Sequence, residues 1–103
     1  MLEIRRGTNP LLRFQLPDAV ALSALAVTFR QAQKNVLEKV LEDVTYDADS
    51  GVVEVSLSQE DTLALADKAP VWVQLRLRDE YGAVVASEPV RIGVRGIYKE
   101  GVI

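Results

Sequence analysis

The sequence predicts an all-β protein, an antiparallel β-sandwich of about seven short strands with one short helix. Three observations support this class. Apolar and polar residues alternate with a period of two along much of the chain, and clusters of turn-forming residues recur about every eight to twelve residues. In addition, residues 71–94 have the pattern of a β-hairpin.

The hairpin carries the clearest signal. In its first arm, residues 71–78, apolar side chains at the odd positions alternate with polar or aromatic ones. Residues 79–82 form a glycine-containing connection, and the second arm, residues 83–94, alternates again near its end. Pro89 cannot donate a ladder hydrogen bond, so we expect the second arm to be bulged or to change its pairing partner there.

Shorter segments with the same alternation predict the remaining strands. These segments are residues 2–6, 12–16, 26–31 and 53–57. Residues 19–25 are small and apolar without clear alternation, which predicts an irregular connection. Residues 33–35 predict a tight turn after the third strand.

Residues 35–44 fit two structures. Their apolar positions recur at the spacing of one helical face, whereas the alternation of Leu37, Lys39 and Leu41 with glutamates fits a strand. A strand beside residues 26–31 gives the more consistent meander. The helix stays open as the alternative.

One short helix is predicted near residues 58–66. Ser58 is followed three residues later by Asp61, which is the spacing of a capping box, and Leu63 and Leu65 would then point inward. Together with the strands, the helix defines the expected core. It consists of Ile4, Leu12, Phe14, Leu16, Val27, Phe29, Val53, Val55, Leu57, Leu63, Val73, Leu75, Leu77, Val90, Ile92 and Val94.

Length and composition limit the organisation and the chemistry. With 103 residues the chain predicts a single domain, residues 1–103, with residues 97–103 as an extended C-terminal tail. Because there is no histidine and no cysteine, the commonest general base, thiolate nucleophile and zinc ligands are absent. We therefore predict a protein that is not an enzyme and that needs no cofactor and no metal.

Charge and hydropathy constrain the partners. The formal net charge is −3 and the pI is about 4.9, which argues against binding to nucleic acid. No apolar run approaches the roughly 20 residues needed to span a bilayer, so no membrane partner is predicted.

Two acidic groups have simpler explanations than catalysis or metal binding. Asp43, Asp47 and Asp49 could suggest a calcium loop, but the spacing of an EF-hand is missing, and an aspartate-rich turn between strands explains them. Glu60 and Asp61 stand in the first turn of the predicted helix, where carboxylates stabilise the helix N-terminus.

The outer face of the hairpin is the best candidate contact surface for a protein partner. It should present Trp72, Arg76, Arg78, Arg91 and Arg95. Such arginines can form a solvated face, a protein interface or an anion-binding stripe. The indole of Trp72 could stack on a sugar or a base, or it could be covered by the short helix or by a partner subunit.

Several segments of the chain together resemble a known family. They are Ile4-Arg5-Arg6-Gly7-Thr8, Val27-Thr28-Phe29-Arg30-Gln31, Leu57-Ser58-Gln59-Glu60-Asp61-Thr62, Val73-Gln74-Leu75-Arg76-Leu77-Arg78, Ala86-Ser87-Glu88-Pro89-Val90 and Lys99-Glu100-Gly101-Val102-Ile103. The layout resembles small prophage-encoded tail or baseplate proteins of Gram-positive bacteria. It is similar in plan to the immunoglobulin-like N-terminal domain of phage upper baseplate proteins.

This resemblance implies an immunoglobulin-like sandwich that works through protein contacts. The expected function is that of a non-enzymatic structural or adaptor protein of a prophage tail or baseplate. Its partners would be other phage tail or baseplate proteins, with a homo-oligomer as a further expectation. It would reside in the host cytoplasm during assembly and could then enter the virion. The alternative is a carbohydrate-binding β-sandwich module with Trp72 or Tyr81 as the stacking platform.

Overall fold

Nine β-strands in two sheets form the body of the protein in a computed structural model that describes residues 2–103. The strands are β1 (Glu3–Arg5), β2 (Leu11–Gln15), β3 (Leu22–Gln31), β4 (Lys34–Val40), β5 (Thr45–Asp47), β6 (Val52–Ser56), β7 (Val71–Asp79), β8 (Val84–Ala86) and β9 (Val90–Arg95). A 3-10 helix, Leu41–Asp43, precedes β5, and one α-helix, α1 (Gln59–Leu63), follows β6. The predicted all-β class with one short helix near residues 58–66 is confirmed.

The strand order is that of an immunoglobulin-like sandwich. The larger sheet has the order β1-β9-β7-β3-β4, with β8 also paired to β7, and the smaller sheet has the order β2-β6-β5. In immunoglobulin terms the smaller sheet supplies strands B, E and D, and the larger sheet supplies G, F, C and C′. All pairings are antiparallel except that of β1 with β9, which is parallel.

The core lies between the inner faces of the two sheets. Phe29 on β3 is fully buried and pairs with Leu37 on β4 and Val73 on β7. Eleven of the predicted core residues are buried: Ile4, Leu16, Val27, Phe29, Val53, Val55, Leu57, Val73, Leu75, Ile92 and Val94.

The predicted core is wrong at its margins. Five predicted members are only partly buried, namely Leu12, Phe14, Leu63, Leu77 and Val90. Leu65 is buried, as its predicted inward position requires, whereas Leu25 and Val71 are buried but were not in the predicted core. Leu25 was missed because β3 begins at Leu22 and not at residue 26. Residues 22–25 have a weak preference for strand, and they become strand because the end of β7 pairs with them.

The ambiguous segment 35–44 is mainly a strand. β4 pairs with β3 up to Val40, and only the single 3-10 turn after it is helical. The side chain of Asp43 accepts a hydrogen bond from the Val40 amide at 3.0 Å and so ends the strand. The short strand β5 that follows was not predicted.

The β3–β4 hairpin turns through two strained residues. Ala32 has φ of 49° and Gln33 has φ of 66°, so both lie in the left-handed region. The turn therefore lies at residues 32–33, so the prediction of a turn at residues 33–35 is wrong in its position. Two-residue hairpin turns of this hand favour Asn-Gly because other L-residues pay a steric cost there.

Replacing these two residues by the preferred pair should stabilise the protein. For Ala32→Asn combined with Gln33→Gly we expect a gain of about 1 kcal/mol in the free energy of unfolding, because the steric strain at both positions is relieved. Urea denaturation followed by Trp72 fluorescence measures this change. A loss of stability would contradict the turn geometry.

The capping box of α1 is present and carries an ion pair. The Ser58 hydroxyl accepts a hydrogen bond from the Asp61 amide at 3.0 Å, and the Asp61 carboxylate accepts one from the Ser58 amide at 2.9 Å. The Lys39 ammonium lies 2.9 Å from the same carboxylate. These contacts fasten α1 to β4, and Thr62 and Leu65 are the buried residues of this region.

Asp61 should make stability acid-sensitive. Burial raises its pKa, but the hydrogen bonds from Ser58 and the charge of Lys39 outweigh burial and hold the pKa below its ordinary value. A carboxyl group with a lowered pKa stabilises the fold above its unfolded pKa, and this stability is lost as the pH falls through the folded pKa. Asp61→Asn should therefore cost about 1 kcal/mol at neutral pH and lose less stability than wild type below about pH 4. Urea denaturation at a series of pH values checks this, and parallel pH profiles would contradict it.

The second arm of the predicted hairpin is bulged, as expected. β8 pairs with residues 76–78 of β7, and β9 pairs with residues 71–73. Between them Glu88 and Pro89 stand opposite Gln74 alone, and the Gln74 side chain donates a hydrogen bond to the Ser87 carbonyl at 2.9 Å. The pairing partner stays β7 on both sides of the bulge.

The C-terminal residues 97–103 have no helix or strand and lie against the body. Gln59 exchanges two hydrogen bonds with the backbone of Ile103, at 2.9 and 3.1 Å. The Arg6 guanidinium lies 2.7 Å from the Glu100 carboxylate.

Candidate protein-contact surface

The outer face of the larger sheet carries all five predicted contact residues. Their positions alternate with the buried residues of β7 and β9, so their side chains share one face. The register adds Arg30, which stands opposite Trp72, and Arg5, which stands opposite Arg95. We call this surface the arginine face, formed by Trp72 and six of the eight arginines: Arg5, Arg30, Arg76, Arg78, Arg91 and Arg95.

Trp72 lies between two guanidinium-bearing side chains. It pairs directly with Arg91 on β9 and with Arg30 on β3, which places the Cβ atoms of each pair about 5 Å apart. Its side chain is 44% exposed, so the alternative in which the short helix covers it is wrong. An exposed tryptophan flanked by arginines combines the residue types that are enriched in protein interfaces.

One edge of the arginine face is internally neutralised. Arg95 donates hydrogen bonds to both carboxylate oxygens of Glu3, at 3.0 and 3.1 Å. These hydrogen bonds and the charge of Arg95 lower the pKa of Glu3, and the same hydrogen bonds together with the negative charge of Glu3 raise the pKa of Arg95. Arg5 donates to the Gly96 carbonyl at 2.8 Å.

The centre of the arginine face keeps its positive charge. Within residues 2–103, Arg76 and Arg91 make no ion pair or side-chain hydrogen bond, while Arg78 donates through Nε to the Ser23 hydroxyl. Among the described strand positions of this face the only acids are Glu3 and Glu38. A protein with net charge −3 thus presents one strongly positive face.

The acidic cluster is part of two turns. Asp43 caps the end of β4, and the Asp47 carboxylate accepts a hydrogen bond from the Asp49 amide at 2.9 Å. That hydrogen bond is the main reason why the pKa of Asp47 is lowered. Across the described part of the chain, no three His, Cys, Asp or Glu side chains are grouped closely enough to hold a metal ion.

The two predicted stacking aromatics are far apart. Tyr81 is 87% exposed in the turn that follows β7, whereas Trp72 lies near the start of that strand. They therefore cannot act as one platform.

None of the helices in residues 2–103 is long and apolar enough to cross a membrane.

Sequence could not identify Arg5 and Arg30 as members of the arginine face. Each lies beside a core residue, Ile4 or Phe29, so the alternation alone places them on an outer face. Whether that outer face is the one that carries Trp72 depends on the order of the strands, and this order is set by long-range pairing. Their place beside β9 and β7 could not be read from local pattern.

Comparisons with known proteins show likeness to solved structures of low sequence identity. No protein-family model matches the chain, and no curated protein sequence matches it significantly. The chain is similar to extracellular domains 3–5 of Drosophila OTK, with 16% identity and a TM-score of 0.40 over 90% of this chain and 32% of that one. It thus spans about a third of the Drosophila chain. It is also similar to the V domain of amphioxus IgVJ-C2, with 10% identity and a TM-score of 0.36 over 88% of this chain and 96% of that one. The strand order carries the fold assignment: the protein is an immunoglobulin-like β-sandwich.

Proposed function

We propose that the protein is a non-enzymatic structural or adaptor protein of a prophage tail or baseplate, and that it acts through protein contacts made by the arginine face. The observation that carries this proposal is the concentration of six arginines and an exposed tryptophan on one sheet face of an acidic protein. The tail context comes from the sequence resemblance described above.

The physical argument favours a protein interface over a merely solvated face. Solubility is served best by interspersed charges of both signs, whereas this face holds four arginines that make no ion pair with the residues the structure describes, Arg30, Arg76, Arg78 and Arg91. Such a field steers an acidic partner toward the sheet, and Trp72 supplies a large apolar contact at its centre.

Charge reversal on the arginine face tests the proposal. In a lysogen that encodes the protein, the gene is replaced by one with Arg76→Glu and Arg91→Glu, the prophage is induced, and intact tails are counted by electron microscopy. We expect the number of tailed particles to fall by about a hundred-fold, because repulsion replaces attraction at the centre of the interface.

Arg13→Glu is the matched control. Arg13 is also an exposed arginine on a strand, but it lies on the smaller sheet, and its ion pair with Glu54 is at the surface. The substitution places two glutamates opposite each other on an exposed surface, which should cost about 1 kcal/mol or less, and tails should form normally. If the double variant is folded and tails still form in normal numbers, the proposal is wrong.

Carbohydrate binding is the second candidate, and the exposure of Trp72 is the observation that favours it. A ligand that stacks on the indole would change its fluorescence, and Trp72 is the chain's single tryptophan. Titration with a broad panel of cell-wall and capsular glycans tests this role. A saturable response lost in Trp72→Ala would establish it, and the absence of any response would end it.

A further inference from the structure

A trough runs along the arginine face between β3 and β7. On the β3 side two successive outward residues are small, Ala24 and Ala26, and they stand opposite Arg78 and Arg76. Small side chains beside long ones leave a valley in the sheet surface. At Ala24 and Ala26 its floor is therefore apolar, and the wall formed by Arg76 and Arg78 is cationic.

Two depressions in succession give the trough its length. The first, of about 240 Å³, is bounded by Ala24, Ala26, Arg76, Arg78 and Val84. The second, of about 270 Å³, is bounded by Thr28, Arg30, Asn35, Trp72, Gln74 and Pro89. From the Ala24–Arg78 pair to the Arg30–Trp72 pair there are six residue steps, about 20 Å of strand, which matches about six residues of an extended peptide.

The charges in the trough select an anionic occupant. Arg76 has no acceptor within residues 2–103, and Arg78 uses only Nε, toward Ser23. Two acids flank the trough in the strand pairing, Glu38 on β4 opposite Thr28 and Glu88 in the bulge opposite Gln74, and neither pairs with Arg76 or Arg78 within residues 2–103. A guanidinium at this exposed position binds a carboxylate in a two-pronged geometry.

We propose that the trough binds an extended, acidic segment of a partner protein. Carboxylates of the segment pair with Arg76 and Arg78, its small or apolar residues lie over Ala24 and Ala26, and its end contacts Trp72. A peptide fits better than a nucleic acid, because the small side chains of a peptide can lie on the apolar floor at Ala24 and Ala26 while its carboxylates reach the arginines. This inference rests on the proposed function in that the arginine face is the contact surface.

Peptide binding tests the trough directly. The probe is an acetylated and amidated peptide of about eight residues in which glutamate and alanine alternate, followed by Trp72 fluorescence at low and at physiological salt. We expect saturable binding, weakened by salt. The same peptide with glutamine in place of glutamate should not bind.

Three variants separate the trough from general charge attraction. Arg76→Gln with Arg78→Gln should weaken binding about ten-fold or more through the loss of charged hydrogen bonds. Ala26→Leu keeps the charge but fills the floor, and binding should weaken about five-fold or more. Arg13→Gln removes one charge from the smaller sheet, outside the arginine face, and binding should stay within about two-fold of wild type.

Four outcomes would overturn the inference. They are no binding to wild type, equal losses in all three variants, tighter binding of oligothymidylate than of the peptide, and self-association of the protein that Arg76→Gln with Arg78→Gln abolishes. The tail experiment is independent of these. If the particle count depends on the arginine face but the peptide does not bind, the proposed function stands and the trough assignment falls.

Discussion

Phe29→Ala should destabilise the protein by about 3–5 kcal/mol, which is a large part of the stability of a domain of this size. Phe29 is fully buried at the centre of β3, the strand that pairs with both β4 and β7. Its removal leaves a cavity where the inner faces of the two sheets meet. With no cysteine in the chain, no disulfide bridge offsets the loss. Urea denaturation monitored by Trp72 fluorescence and circular dichroism measures the change.

Phe14 is the matched control because the chain has only two phenylalanines. It faces the same core from β2 but is partly exposed, so Phe14→Ala should cost about 1–2 kcal/mol. Equal effects of the two substitutions would show that the register of β3 is wrong. A cost near zero for Phe29→Ala would show the same.

Strong alternation let the sequence predict most of the sandwich. β7 and β6 have buried and exposed residues in strict succession, so their period of two was visible without knowledge of their partners. The capping box likewise placed α1, because Ser58 and Asp61 act on each other within four residues. Local interactions of this kind can be predicted from residues that are close together in the sequence.

The elements that failed depend on distant pairing. Leu22–Leu25 is strand because the end of β7 supplies its hydrogen-bonding partner, and β5 exists because it pairs with β6. The left-handed residues Ala32 and Gln33 gave no turn signal of the usual kind, since neither is glycine or asparagine. Tertiary pairing overrode weak local preference in each case.

For the candidate site, too, the local pattern predicted some features, and the pairing of distant strands determined others. The alternation within β7 and β9 placed Trp72, Arg76, Arg78, Arg91 and Arg95 on one face. The trough, by contrast, arises from register, because only the pairing of Ala24 and Ala26 with arginines of β7 makes a valley there. A sequence pattern identifies which side of a strand is polar, whereas the shape of that side depends on the neighbouring strand.

Gln31→Met should destabilise the protein by about 2–4 kcal/mol although it changes the side-chain volume little. Gln31 is 5% exposed, and its amide donates to the Ala66 and Ala69 carbonyls at 2.6 and 2.9 Å. Its carbonyl accepts a hydrogen bond from the Ala66 amide at 2.9 Å. These three bonds fasten the segment between α1 and β7 to the end of β3. Methionine leaves all three backbone groups without their partner, and urea denaturation at neutral pH measures the cost.

Gln31→Glu distinguishes the hydrogen bonds from packing, because it keeps the shape and the acceptor but loses both donors when ionised. Burial beside two carbonyls should raise the pKa of the introduced carboxyl above its unfolded value of about 4.3. A raised folded pKa means that stability is highest at low pH and falls as the pH rises through this range. We therefore expect the deficit of Gln31→Glu relative to wild type to grow from about pH 4 to pH 7, while that of Gln31→Met stays constant. If both deficits are constant with pH, the side chain of residue 31 does not donate to these carbonyls, and the segment before β7 is held by packing alone.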